Sequence, residues 1–423
     1  MPQTLAEKIL QGRTEESITG PGQIVRTRLS SVLANDITAP LAIKSFEAMG
    51  ATKVFDPEKV FLVCDHFTPN KDIDSAQQVK VVRDFARKMG VVHFYDGGES
   101  GVEHALLPEL GLVGPGDVIV GADSHTCTYG GLGAFATGMG STDVAAAMAL
   151  GETWFKVPPT IRASFTGAMP EHLEAKDLIL LLIGRIGVAG ATYKALEFDG
   201  PVIAAMDVEG RMTMANMAIE AGGKVGLFAA DDKTLAYARA AGRTDAVAIA
   251  ADPGAAYEQE LTFDVSGLSP QIACPHLPDN VRSVEEVADV AVDQVVIGSC
   301  TNGRISDLRR AAALLKGRKA AKGLRLIILP ATPLIYKQAL REGLLEIFMD
   351  AGAVVGPPTC GPCLGGHMGI LASGEKVLAT TNRNFKGRMG SLESEVYLAG
   401  AGVAAATAIA GHICHPAEIV GRK

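Results

Sequence analysis

Three cysteines sit in two loops of unusual composition: Cys300 in GSCTNGR, and Cys360 with Cys363 in PPTCGPCLGG. Three thiolates so arranged suit an iron-sulfur cluster in which one iron lacks a protein sulfur, and such an iron acts as a Lewis acid on a substrate oxygen. A tetrahedral zinc completed by His367, a dithiol redox pair at Cys360 and Cys363, or simple burial would use the same residues. Zinc ribbons bring two close pairs where Cys300 stands alone, and redox CxxC motifs usually open a helix early in a βαβ unit. The flanking Gly and Pro favour a loop wrapped round an inorganic core, since backbone amides reach sulfide only by close approach. Cys64, Cys127, Cys274 and Cys414 bring the total to 7 cysteines. An odd number without a secretory leader argues against structural disulfides, and these four are expected to pack.

Acid–base chemistry has three candidate sites: Asp65-His66, His104 in GVEHALLPE, and Asp123-Ser124-His125. A carboxylate beside a histidine orients the imidazole and holds it protonated, which makes a general acid near neutral pH. One such histidine is more often a structural hydrogen-bonding residue, but three at strand ends or helix starts favour function. Ser124 lacks the G-x-S-x-G elbow of a nucleophile. GGLGAFATGMGS (130–141) has the wrong register for a dinucleotide loop and carries no G-K-S or G-K-T, so a packing turn is expected there. In NRNFKGR, Arg383 and Arg388 offer two guanidinium forks on a loop that Gly387 bends, a geometry suited to carboxylates. Asn216 and Glu220 lie four apart and are expected to share a helix face.

The elements that must position these residues alternate, strand then helix, as in a largely parallel sheet. VFLVCDH (60–66) precedes a helix over 76–89; DVIVGADSHT (117–126) leads through the glycine-rich turn to a helix over 142–155; DQVVIGSC (293–300) precedes a helix over 305–315. Residues 163–286 look less regular, and the Pro-rich CPHLPDN suggests a linker near 275–285. Asp65, His66, Asp123, His125, Cys300, Cys360, Cys363, Arg383 and Arg388 all fall just after expected strands, where ligand sites form in open α/β sheets.

The chain has 423 residues, 48% of them hydrophobic and 20% charged. At roughly 150 residues per domain that suggests about three domains or one large compound unit, globular and soluble. A net charge of -8 without a Lys/Arg cluster argues against nucleic acid as the main partner. The apolar stretch 396–411 falls short of the roughly 20 residues of a membrane span and reads as a buried helix. Glu7 and Lys8 in MPQTLAEKIL interrupt any signal-peptide core, so a cytoplasmic location is expected.

VGADSHT, GSCTNGR, TCGPCLGG and NRNFKGR, in this order and at these spacings, closely resemble the aconitase superfamily of iron-sulfur hydro-lyases, from about residue 20 onward. The resemblance implies an α/β fold of three domains around a central cleft, here 1–162, 163–286 and 287–423, the last carrying the cluster cysteines. The fourth, swivel domain of the family is expected on a separate small subunit. Cys300, Cys360 and Cys363 would hold one 4Fe-4S cluster with an open iron, and Asp65 and His66 would protonate the departing hydroxyl. His104, Asp123 and His125 would hydrogen-bond substrate and iron-bound water, with Glu220 and Asn216 reaching the hydroxyl and the cluster. Ser124, Asn382, Arg383 and Arg388 would bind substrate, and Asn35-Asp36 lies where the family has a substrate-contacting segment. The base, a serine of the fourth domain, would come from the partner. The implied reaction moves a hydroxyl to the neighbouring carbon of a small 2-hydroxy di- or tricarboxylic acid by way of an enoate. A branched malate of leucine biosynthesis is the expected substrate, a homologous tricarboxylate of lysine biosynthesis or another branched malate the alternatives, and a zinc-stabilised binding module the reading from another class; neither nucleic acid nor membrane is an expected partner.

Overall fold

A computed structural model describes residues 1–420. The described chain forms two compact units, one of residues 1–167 with 191–264 and one of residues 168–190 with 265–420.

The first unit holds strands β1 (Ile24–Arg28), β2 (Ser31–Asn35), β3 (Val60–Val63), β4 (His93–Tyr95), β5 (Val118–Gly121), β6 (Phe135–Gly138), β7 (Glu152–Lys156), β8 (Thr160–Thr166), β9 (Ala195–Asp199), β10 (Val225–Phe228) and β11 (Gln259–Asp264). A five-stranded parallel sheet runs β4-β3-β2-β5-β6, and a four-stranded parallel sheet runs β10-β9-β8-β11. VFLV and VIVG are buried at every position, because helices cover both faces of a parallel sheet and leave no polar alternation in its central strands. The helix Ile73–Met89 starts where the Asp72 carboxylate accepts the Ser75 N–H and stops at Gly90, whose φ of 69° is left-handed, a terminator that only glycine adopts freely.

Two expectations for this unit need correction. The helix foreseen over 142–155 ends at Leu150, because Gly151 turns left-handed at φ 71° and the β-formers Thr153, Trp154 and Phe155 continue as β7, antiparallel to β1. The helix Val208–Asn216 tightens into a 3-10 turn, Met217–Ala221, so Asn216 and Glu220 do not share one regular α-helical face.

The second unit holds β12 (Gln271–Ala273), β13 (Val281–Ser283), β14 (Gln294–Ile297), β15 (Arg325–Ile328), β16 (Val354–Val355), β17 (Lys376–Ala379) and β18 (Glu395–Leu398), in the order β13-β12-β18-β17-β14-β15-β16. From β18 to β16 the pairing is parallel, and β12 and β13 add an antiparallel edge. The Pro-rich stretch expected to be a linker is the loop of that edge pair. The apolar run 396–411 is not one helix: its Val-Tyr-Leu start belongs to β18, and Gly400 then opens a helix, Ala401–Ala410. Glu174 seals that helix start by accepting the N–H groups of Ala401 (3.0 Å) and Gly402 (2.6 Å). A Cβ at Gly400 would lie 2.8 Å from the Glu174 carboxyl carbon. Among the described residues no helix is long and apolar enough to cross a membrane.

Candidate functional site

In the first unit the carboxyl ends of β2, β3 and β5 deliver a polar network into an apolar surround. Asp36, fully buried, accepts the backbone N–H groups of Asp65 (3.1 Å), His66 (3.0 Å) and Phe67 (2.6 Å) and so shapes the turn that follows β3. Asp65 then divides its oxygens, Oδ1 lying 2.7 Å from His66 Nδ1 and Oδ2 accepting the Glu103 N–H at 2.8 Å. His66 Nε2 lies 3.9 Å from Asp123 Oδ2.

Asp123 is the hub of the network. Its Oδ1 is 3.0 Å from His104 Nε2 and accepts the His125 N–H at 2.7 Å. His104 Nδ1 meets the Tyr129 hydroxyl at 3.1 Å, and His125 Nε2 meets Glu220 Oε1 at 2.9 Å. Asn216 donates to Thr128 Oγ1 at 2.8 Å, and its carbonyl accepts the Cys127 thiol at 3.3 Å. Asp65, His66, His104, Asp123, His125, Asn216 and Glu220 therefore belong to one connected set. Ser124 is half-buried and opens the 3-10 helix Ser124–Leu132. The GGL turn packs as expected: a Cβ on Gly130 would lie 1.8 Å from the Gly226 carbonyl.

Electrostatics separates the roles. Burial alone would neutralise His66, but Asp65, Asp36 and Asp123 outweigh it and raise its pKa well above the ordinary value, so it is an imidazolium at neutral pH. Burial would also protonate Asp123, yet hydrogen bonds from His104 and His125 hold it well below the usual carboxylate range. Glu103 goes the other way. Burial, helped by the charges of Asp65 and Asp123, pushes it well up, toward the neutral form, and it accepts the Asn35 amide at 2.9 Å. Sequence reasoning missed Glu103, although it precedes His104 as Asp65 precedes His66, and it undervalued Asp36.

In the second unit the loops after β14, β16 and β17 bring the three thiols together. Cys300, Cys360 and Cys363 are all buried, and Cys360 shares hydrogen bonds with both other thiols. Asn382 spans the outer two, donating from Nδ2 to Cys300 Sγ at 3.2 Å and accepting from the Cys363 thiol at Oδ1, 3.4 Å. Arg388 Nη2 lies 3.9 Å from Cys363 Sγ, and Arg383 is half-buried on the same turn. Arg304 fixes the first loop by donating to the carbonyls of Cys300 (3.0 Å) and Thr301 (3.1 Å). In the second loop His367 Nε2 meets Thr359 Oγ1 at 3.0 Å. There a Cβ at Gly361 would lie 2.2 Å from the His367 ring, so glycine is required.

This donor set fits an iron-sulfur cluster. The Cys360 thiol is pushed well above its ordinary pKa, first by its hydrogen bonds to Cys300 and Cys363 and then by burial. Three thiolates crowded in a buried pocket ionise together only around a positively charged core, and all-sulfur donors select soft metals and iron-sulfur clusters.

The family model described as "Aconitase family (aconitate hydratase)" matches residues 7–411. The 3-isopropylmalate dehydratase large subunit of Nitratidesulfovibrio vulgaris (strain Miyazaki F) is 74% identical over 419 residues, covering 99% of this chain and 100% of that one. The protein of the same name from Moorella thermoacetica is 59% identical over 420 residues, with the same coverage. Among solved structures, aconitase X of Thermococcus kodakaraensis superposes with a TM-score of 0.51 at 15% identity, covering 87% of this chain and 89% of that one, which shows a common fold. Matched along almost its whole length by the family model and by relatives of high identity, this chain belongs to the aconitase family.

Proposed function

We propose that the chain is the large subunit of a 3-isopropylmalate dehydratase of leucine biosynthesis, which converts 2-isopropylmalate to 3-isopropylmalate by way of 2-isopropylmaleate. The observation that carries this reading is identity of 74% to a full-length relative of that name, joined to an acid–base network and a thiol centre of matching chemistry. Family membership implies an iron-sulfur cluster, and the relatives' names imply a small-subunit partner.

Cys300, Cys360 and Cys363 would hold a 4Fe-4S cluster through three thiolates, which would supply Lewis acidity toward the substrate's hydroxyl and carboxylate. His66, charged by Asp65, donates its Nε2 proton to the departing hydroxyl, and Asp65 holds the ring in place. Asp123 remains an anion between His104 and His125 and fixes the orientation of both rings, so that the three side chains meet substrate and water as one rigid polar group. Glu220 orients His125, and Asn216 braces the Thr128 turn beside it. Arg383 and Arg388 bind substrate carboxylate, with Ser124 and Asn382 as further polar contacts. The base that removes the carbon-bound proton comes from the small subunit, which supplies the fourth domain.

Anaerobic co-purification with the small subunit, followed by parallel assays on 3-isopropylmalate, homocitrate and citrate, tests this reading. Enoate absorbance is expected mainly from isopropylmalate and only with both chains present. Preference for homocitrate, or robust turnover by the large chain alone, would overturn it. Zinc without acid-labile sulfide would replace the cluster with a metal-stabilised binding module.

A further inference from the structure

Lys176 is fully buried in the first turn of the helix Ala175–Ile186. Its Nζ donates to the backbone carbonyls of Thr381 (2.5 Å) and Thr380 (3.2 Å), so neither hydrogen-bond partner carries a charge. The groups that would offset its burial are first the sulfurs of Cys300 and Cys363, once ionised, then Asp307 and Glu174. Both carboxylates are committed elsewhere. Glu174 caps the helix Ala401–Ala410, and Asp307 accepts from the Asn302 side chain and the Arg304 N–H. Burial pushes the ammonium down to about 8, and a buried cation without a bonded anion is destabilising.

The carbonyls it binds belong to the turn that joins two cysteine loops. Thr380 Oγ1 accepts the Gly298 N–H at 3.0 Å and its carbonyl accepts Ser299 Oγ at 3.1 Å, which ties the turn after β17 to the residues just before Cys300. The next residue after Thr381 is Asn382, whose amide spans Cys300 and Cys363. The position of Lys176 is therefore unexplained by the thiols in their neutral form and explained by an anion built on them. A 4Fe-4S core ligated by thiolates carries net negative charge, which deepens on reduction.

We propose that Lys176 is a positioning residue of the cluster centre: held beside the 380–382 turn that spans the cysteine loops, it supplies the buried counter-charge of the cluster. This inference rests on the cluster reading above. It predicts opposite effects of one substitution on the two forms of the protein, since the charge is a burden without the cluster and an asset with it.

The test uses the complex with its small subunit and begins with iron and sulfide content of the unmodified protein; absence of both removes the cluster reading itself. With a cluster present, Lys176→Met and Lys176→Arg are compared by anaerobic redox titration followed by electron paramagnetic resonance, and by thermal unfolding of the cluster-free chain. The expected result for Lys176→Met is a midpoint potential shifted to more negative values and faster cluster loss, with a cluster-free melting temperature equal to or above the original. Lys176→Arg keeps the charge and is expected to keep the potential. An unchanged potential in Lys176→Met overturns the inference while leaving the cluster reading intact. Failure of Lys176→Met to fold, or a lowered cluster-free melting temperature, also overturns it, because Lys176 would then serve the fold and not the cluster.

Discussion

The polar network of the first unit and the thiol centre of the second are both buried and both built on loops after parallel strands, yet they are completed in different ways. In the network, charged groups are balanced within the unit: His66 by Asp65, and Asp123 by His104 and His125. Its protonation pattern is set before any ligand arrives, so no reorganisation is needed when charge develops on a substrate. The thiol centre meets its own kind, Cys360 between Cys300 and Cys363, with Asn382 across the outer pair. Proteins fix proton positions with their own side chains, but they hold electron-rich sulfur in place for a guest.

The sharpest way to break this contrast is Cys300→Ser. It is expected to abolish visible cluster absorbance and, with the Lewis acid gone, turnover, while the histidine resonances of the first unit stay in place; retained absorbance would show that Cys300 is not a ligand. His66→Gln does the converse. Turnover should fall by about 10²–10⁴-fold, the range for removing a general acid, with iron and sulfide content unchanged, and loss of cluster in this variant would show that the two regions are not independent.

Glu103 probes the group that burial pushes toward the neutral form. Glu103→Gln keeps a neutral group of the same shape and is expected to change stability by less than about 1 kcal/mol, whereas Glu103→Ala leaves the Asn35 amide unpaired and costs about 1–3 kcal/mol in urea unfolding. Equal losses in the two variants would mean that Glu103 is ionised. The smallest effect concerns pH. The folded pKa of His66 lies above the ordinary 6.5, so its ion pair contributes fully to stability below about pH 6.5 and loses that contribution as pH rises through the folded value. The stability gap between the original protein and His66→Gln, measured in urea from pH 5 to pH 9, should narrow toward the alkaline end; a widening gap contradicts the assignment.

Much of the site was legible because its signals are local. The Gly- and Pro-flanked cysteines, the acid–histidine pairs and the helix Ile305–Leu315 are all written within short windows. Glu103 was not, since what raises its pKa is burial beside Asp65 and Asp123, residues distant in sequence. Lys176 was hidden for the same reason: its partners lie 204 and 205 positions away, and nothing in AKDLILLL marks its lysine as buried. The misplaced helix end near 150 arose from reading Gly151 as an interior residue, when its left-handed backbone ends the helix and starts β7.

The second unit takes residues 168–190 from the middle of the chain and its remaining residues from 265 onward. On a ribosome the helix Ala175–Ile186, with its apolar face and Lys176, emerges long before Ala401 and Gly402 exist to meet Glu174. At about 5–20 residues per second, that wait is roughly 10–40 s, during which the first unit can close around its interruption. A nascent chain stalled before the last helices would thus hold the whole of its first unit while Glu174 still lacked the N–H groups it accepts in the second.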